Sequence, residues 1–136
     1  MDLTSPATEA EVVSALDDAS QRMNWHTQTE PLITRFRPDL ILVDPSGTTF
    51  VVEVKFGQGA THFGSLAQLD TVRDAYQTHI GANKVRAVMV TDVDVDDSFK
   101  LLANQTGIQI ISTHDLSGDV GNGIIGKLES SESAGT

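Results

Sequence analysis

The sequence predicts an α/β domain, a mixed β-sheet with helices on both faces. Three observations carry that prediction. The 136 residues, 39% hydrophobic and 21% charged, suffice for one domain with its own core. Residues 39–56 read as a β-hairpin, two β-branched runs around a turn. Beyond it, helical and strand patterns alternate, and a helix between two strands implies a parallel crossover. No internal repeat is present, and the element order reads α β β α β α β.

Two helix-start signals compete near the N-terminus. Ser5-Pro6 places Pro at a first helical position, and Thr8-Glu9-Ala10-Glu11 is a capping box. Val12, Val13, Leu16, Ala19 and Met23 then recur at helical spacing, giving a helix over 6–23. Strands follow at 39–43 and 49–56. Asp44-Pro45-Ser46-Gly47-Thr48 between them suits a type I turn closed by a left-handed glycine. A glycine-containing loop covers 57–64. Leu66, Leu69, Val72, Tyr76 and Ile80 mark one face of a helix over 65–79. Residues 85–90 read as a strand, 94–105 as a helix stopped by Gly107, and 108–111 as a further strand. Residues 1–116 thus form a single expected domain. Nine of the residues 117–136 are Gly or Ser, which predicts a mobile C-terminal tail with at most a short strand at Ile124-Ile125.

Composition narrows the function. The absence of cysteine excludes a disulfide framework, a thiol nucleophile and any cysteine-ligated zinc or iron–sulfur centre. Apolar runs such as 40–43 are too short to cross a bilayer, and the first six residues lack a signal-peptide pattern. The expectation is a soluble, cytoplasmic protein. Nineteen acids against nine bases give a net charge of −10. Such a surface repels nucleic acid at long range, so binding would need local positive potential. A surface kept soluble in high salt, where charges are screened, has the same composition.

The hairpin places chemistry at one point. If Asp44 pairs with Thr48, then Val43 faces Thr49, Ile41 faces Val51 and Asp39 faces Glu53. Lys55 shares the face of Glu53, two residues on. Leu40, Leu42, Phe50, Val52, Val54 and Phe56 make the opposite face apolar. Directly opposed carboxylates lie roughly 5 Å apart. They repel by roughly 3 kcal/mol at an effective dielectric near 20. Lys55 offsets part of this and a divalent cation would offset more. All-oxygen ligands of this kind suit Mg²⁺, with Mn²⁺ as a substitute. An ion-pair cluster of Asp39, Lys55 and Glu53 at a sheet end is the plainer alternative.

Pro38-Asp39, a hairpin and then Glu53-Val54-Lys55 resemble the signature of the PD-(D/E)XK nucleases. The resemblance continues through Val88-Met-Val-Thr-Asp92, a short helix and residues 107–116, which look like the second half of Mrr-like domains. It covers roughly residues 6–116 and implies a restriction endonuclease-like fold of an Mrr-like or Holliday-junction-resolvase-like branch. It implies that Asp39, Glu53 and the Val54 carbonyl bind Mg²⁺ and that Lys55 assists the attacking water. The implied activity is DNA hydrolysis by an endonuclease rather than an exonuclease. A catalytically silent binding or assembly module on the same fold is the alternative.

Accessory positions follow. Glu9 lies on the buried stripe of the first helix and matches the acid that the family often carries there; stabilisation of the helix N-terminus is its other reading. Gln68 matches a polar residue on the next helix in some relatives, and Ser65-x-x-Gln68 is also a capping box. RecB-like relatives carry Tyr four positions after that Gln; here Val72 stands there and the tyrosine is Tyr76, a departure from that branch. Arg35, Arg37 and Arg73 are candidate DNA contacts around Lys55, or solvated surface groups. The four histidines show no metal-ligand spacing. Cutting both strands together calls for two sites, hence a homodimer. With no recognition domain evident in 136 residues, specificity calls for a dimer, a partner or DNA shape.

Overall fold

The computed structural model describes residues 8–29, 38–57, 63–80, 84–116 and 118–134. The elements are α1 (Glu9–Arg22), β1 (His26–Thr29), β2 (Leu40–Val43), β3 (Thr49–Val54), α2 (Phe63–Ile80), β4 (Val85–Thr91), α3 (Asp97–Thr106), β5 (Ile108–Ser112) and α4 (Val120–Ala134). A 3-10 turn spans Thr113–Asp115. The sheet runs β1-β2-β3-β4-β5; the first three strands are antiparallel and β3, β4 and β5 are parallel. This is the mixed, helix-flanked α/β fold that the sequence predicts.

Period-two alternation sorts the strand residues between two cores. Leu40, Leu42, Phe50, Val52, Val54, Val88 and Val90 pack against α1 and α4. Ile41, Val51, Ala87 and Met89 pack against α2 and α3. Both faces of β3 and β4 are therefore buried, as expected where parallel strands are covered on both sides. Trp25, just before β1, stacks on Phe50 with ring centroids 5.8 Å apart.

The hairpin register is the expected one: Ile41 faces Val51 and Val43 faces Thr49. The Asp44 N–H donates to the Thr48 carbonyl at 3.0 Å, and Gly47 takes φ +92°. The Asp44 carboxylate also accepts from the Ser46 and Thr48 N–H groups, fastening the turn from inside.

Several expectations shift. Thr8 is the cap of α1, accepting from the Glu11 N–H at 3.1 Å; Ser5-Pro6 lies outside the described residues. Asp96 caps α3, which starts at Asp97 rather than 94 because Asp96 stays extended and accepts from the Phe99 N–H. α2 begins at Phe63, so Ser65-x-x-Gln68 is not its capping box. β1 is a strand the sequence does not announce, because His-Thr-Gln-Thr carries no apolar alternation. The largest correction is at the C-terminal end. Residues 120–134 form a helix rather than a tail with a short strand. Ile124, Ile125 and Leu128 are fully buried against α1 and the sheet. Gly121 permits that approach, since a Cβ there would lie 2.3 Å from the Ala15 carbonyl oxygen.

Candidate active site

β3 ends where its neighbours stop supplying ladder acceptors, and carboxylates take over. The Lys55 N–H still donates to the Val90 carbonyl of β4 at 2.8 Å. Backbone donors alternate sides along a strand, so the Val54 and Phe56 N–H groups face the β2 side. β2 begins only at Leu40, so no β2 carbonyl is there to receive them. Asp39 Oδ2 accepts from the Val54 N–H at 2.8 Å, and Glu9 Oε2 accepts from the Phe56 N–H at 2.7 Å. On the β4 side, Asp92 Oδ1 accepts from the Gly57 N–H at 2.8 Å. Three acids from α1, the start of β2 and the end of β4 thus hold the backbone around Lys55.

Glu53 points into this group. Its carboxyl is pushed up to about 7, first by burial, then by the Asp39 charge and a hydrogen bond with the Asp39 side chain. The Lys55 ammonium pulls it down, and Glu9 adds a smaller upward push. The expected meeting of Asp39, Glu53 and Lys55 is therefore present. Its detail differs from simple cross-strand opposition: Asp39 precedes the ladder and caps it with its side chain. Glu9 joins the group from the helix stripe on which the sequence places it. A cleft of about 460 Å³, bordered by Glu9, Val13, Asp17, Thr29 and Asp39, opens beside the two acids.

Among the described residues, no three His, Asp or Glu side chains form a ready-made metal cage. Mg²⁺ needs less, because it keeps several waters and takes one or two carboxylates. The donors fit it: an adjoining carboxyl pair, all oxygen, in which Glu53 is pushed up to about 7 and so keeps its proton more readily, a proton that a cation could replace. In an extended strand a residue's N–H and C=O face the same neighbour. The Val54 carbonyl therefore lies toward Asp39 as well.

The remaining expected residues separate from this group. Arg73 belongs to the opposite end of the sheet. Its guanidinium donates to the Thr106 carbonyl at 2.9 Å, next to Gly107, and pairs with Asp70 and with Asp74 at 3.6 Å. Gly107 precedes β5 and lies level with Phe50 in the register, since Phe50 pairs with Arg86, and Ala87 with Ile108. Lys55 is five residues further along, about 16 Å at the usual strand rise. Arg73 therefore clamps α2 to the end of α3 and does not share a patch with Lys55. Gln68 is exposed on α2. Arg35, Arg37 and His62 lie outside the described residues. His26 is exposed, and His114 pairs with Asp94 at 3.2 Å on the surface. Sequence reasoning passed over Asp92. Its signal was position: an acid directly after a parallel strand, at the strand ends where open α/β sheets bind ligands.

No family model and no curated protein matches the chain. Solved structures do. The chain is similar to a repair endonuclease from Pyrococcus abyssi, at 20% identity and TM-score 0.60, covering 79% of this chain and 47% of that one. It is also similar to EndoMS in its complex with double-stranded DNA, at 18% identity and TM-score 0.58, covering 82% and 45%. A third similarity is to protein VC1899 from Vibrio cholerae, at 18% identity and TM-score 0.60, covering 79% and 30%. These likenesses show a shared restriction endonuclease-like fold. The chain spans less than half the length of each of these three proteins.

Proposed function

We propose that this chain is a metal-dependent nuclease that hydrolyses phosphodiester bonds in DNA, as an endonuclease. The observation that carries the reading is the adjoining Asp39–Glu53 carboxyl pair with Lys55 at the same strand end. A half-buried carboxyl pair beside an ammonium is poorly stable alone and becomes well matched once a divalent cation arrives. The endonuclease names of two similar structures support the same reading at the level of the fold.

Asp39 and Glu53, with the Val54 carbonyl, would hold Mg²⁺ or Mn²⁺. The ion would supply positive charge to stabilise the negative charge that builds on the phosphate oxygens. Asp39 is held for this by the Val54 N–H. The Lys55 ammonium, with three donors and no acceptor, orients the attacking water in line with the scissile bond. Glu9 is an accessory site residue in this reading, and Arg35 and Arg37 contact the DNA backbone. A homodimer would cut both strands, a separate partner would add specificity, and the setting would be cytoplasmic.

A second reading has its own observation. The net charge is −10, and Arg73 is engaged within the fold, which favours a nuclease fold serving as a binding or assembly module. Cleavage of supercoiled plasmid, linear duplex, single strand and a four-way junction separates the two. The assay uses Mg²⁺, Mn²⁺ or EDTA at low and molar salt, beside Lys55→Ala. The nuclease reading expects metal-dependent cutting that the variant loses. A folded protein that cuts nothing under any of these conditions overturns it in favour of the module.

A further inference from the structure

We propose that Asp92 is a positioning residue for Lys55, acting through the Gly57 amide; this rests on the nuclease reading above. The direction of a lysine side chain at a strand end is set by the backbone on either side of it. Before Lys55 the ladder does this work, through its own N–H bond to Val90. After Lys55 the strand has ended. Gly57 turns the chain away with φ +78°, in the left-handed region that favours glycine. Gly57 is exposed. The Asp92 carboxylate fastens this turn, with a charge-assisted hydrogen bond of 2.8 Å to the Gly57 N–H.

Asp92 is suited to the task by its own anchorage. It follows Thr91, which is fully buried and paired with Ser112 of β5. The acid therefore stands at the first position beyond a central strand, next to a fully buried residue of the sheet. The contact it makes is with the chain itself, its Oδ1 accepting from the Gly57 N–H. Its contribution is thus a backbone contact two residues beyond the lysine. Small misplacements of a reacting group lower rates steeply, which gives such a contact kinetic leverage.

The test compares the full chain with Asp92→Ala and Asp92→Asn. Asparagine keeps an oxygen acceptor for the Gly57 N–H and discards the charge. Single-turnover cleavage with Mg²⁺, DNA affinity, thermal midpoint and amide exchange at Gly57 are measured on all three. Asp92→Ala is expected to slow cleavage roughly tenfold to a hundredfold, with DNA affinity and midpoint nearly unchanged and Gly57 protection lost. Asp92→Asn is expected to restore most of the rate and the protection. A wild-type rate in Asp92→Ala overturns the proposal. So does Asp92→Asn as slow as alanine with Gly57 still protected, because charge rather than position would then be at work. If the wild-type chain cuts no DNA while Gly57 protection depends on Asp92, the backbone contact stands and the nuclease reading falls.

Discussion

The two ends of the parallel strands handle backbone groups in opposite ways. At the end near α3, Arg73 donates to the carbonyls of Thr106 and Gly107, and Asp70 and Asp74 balance its charge. At the other end Asp39, Glu9 and Asp92 accept from the Val54, Phe56 and Gly57 N–H groups. Both arrangements satisfy donors and acceptors that the ladder leaves over. The difference lies in charge. At the Arg73 end the one cation is paired with two acids and with carbonyls of the fold, whereas the Glu53 end gathers Asp39, Glu53 and Glu9 against Lys55. A matched cluster holds the fold together; an unmatched one stores a demand for a ligand.

Four measurements sharpen or break that contrast. The largest effect belongs to Lys55→Ala, which should lower cleavage by about 10²–10⁴-fold while leaving the thermal midpoint near that of wild type. Equal loss of rate and midpoint would mean that the lysine is structural. Next, the double variant Asp39→Ala/Glu53→Ala should abolish Mg²⁺ binding in calorimetry; unchanged binding removes the metal site. Arg73→Ala should show the reverse pattern. Its guanidinium is only 16% exposed. Losing hydrogen bonds to a charged group costs about 1.5–3 kcal/mol, read from urea unfolding. The cleavage rate per folded molecule should stay the same.

The smallest effect is in pH dependence. The Glu53 carboxyl sits near 7 in the folded protein against an ordinary 4.5, so between these values the folded state holds a proton that the unfolded state has lost. Stability without metal should therefore fall as pH rises from about 4.5 to about 7. Glu53→Gln should flatten that slope in denaturant titrations across this window. Mg²⁺ affinity should move the other way, rising toward neutrality as the proton leaves. A metal-free stability that climbs over the same range in wild type and not in the variant would reverse the assignment.

How much of this was legible depended on which force set each part. The hairpin was legible because a period of two, a turn chemistry and a two-faced burial pattern all agree on one register. Glu9 was legible because helical spacing tied it to Val12, Val13 and Leu16. Arg73 was misread because sequence does not say which end of the sheet a helix face will meet. Asp70 and Asp74 beside it were the hint that its charge was already balanced. The C-terminal helix was misread on composition. Its Gly and Ser suggested slack, although Val120, Ile124, Ile125 and Leu128 fall on helical spacing. Gly121 there marks close approach rather than freedom, which only the position of α1 reveals.

The contact of Gly121 with Ala15 also has a bearing on time. The β2–β3 turn joins neighbours a few residues apart, and hairpins of this kind form within about 1–10 μs. α4 must instead find α1 across nearly the whole chain, and contacts so distant in sequence form slowly. The helix that carries Glu9 thus has its outer support delivered late. A chain that has already folded its hairpin and parallel strands would hold Asp39 and Glu53 in place while Glu9 still waits for its helix to be seated. These sequence separations predict a staged assembly of the site, with the carboxyl pair first and the α1 acid last.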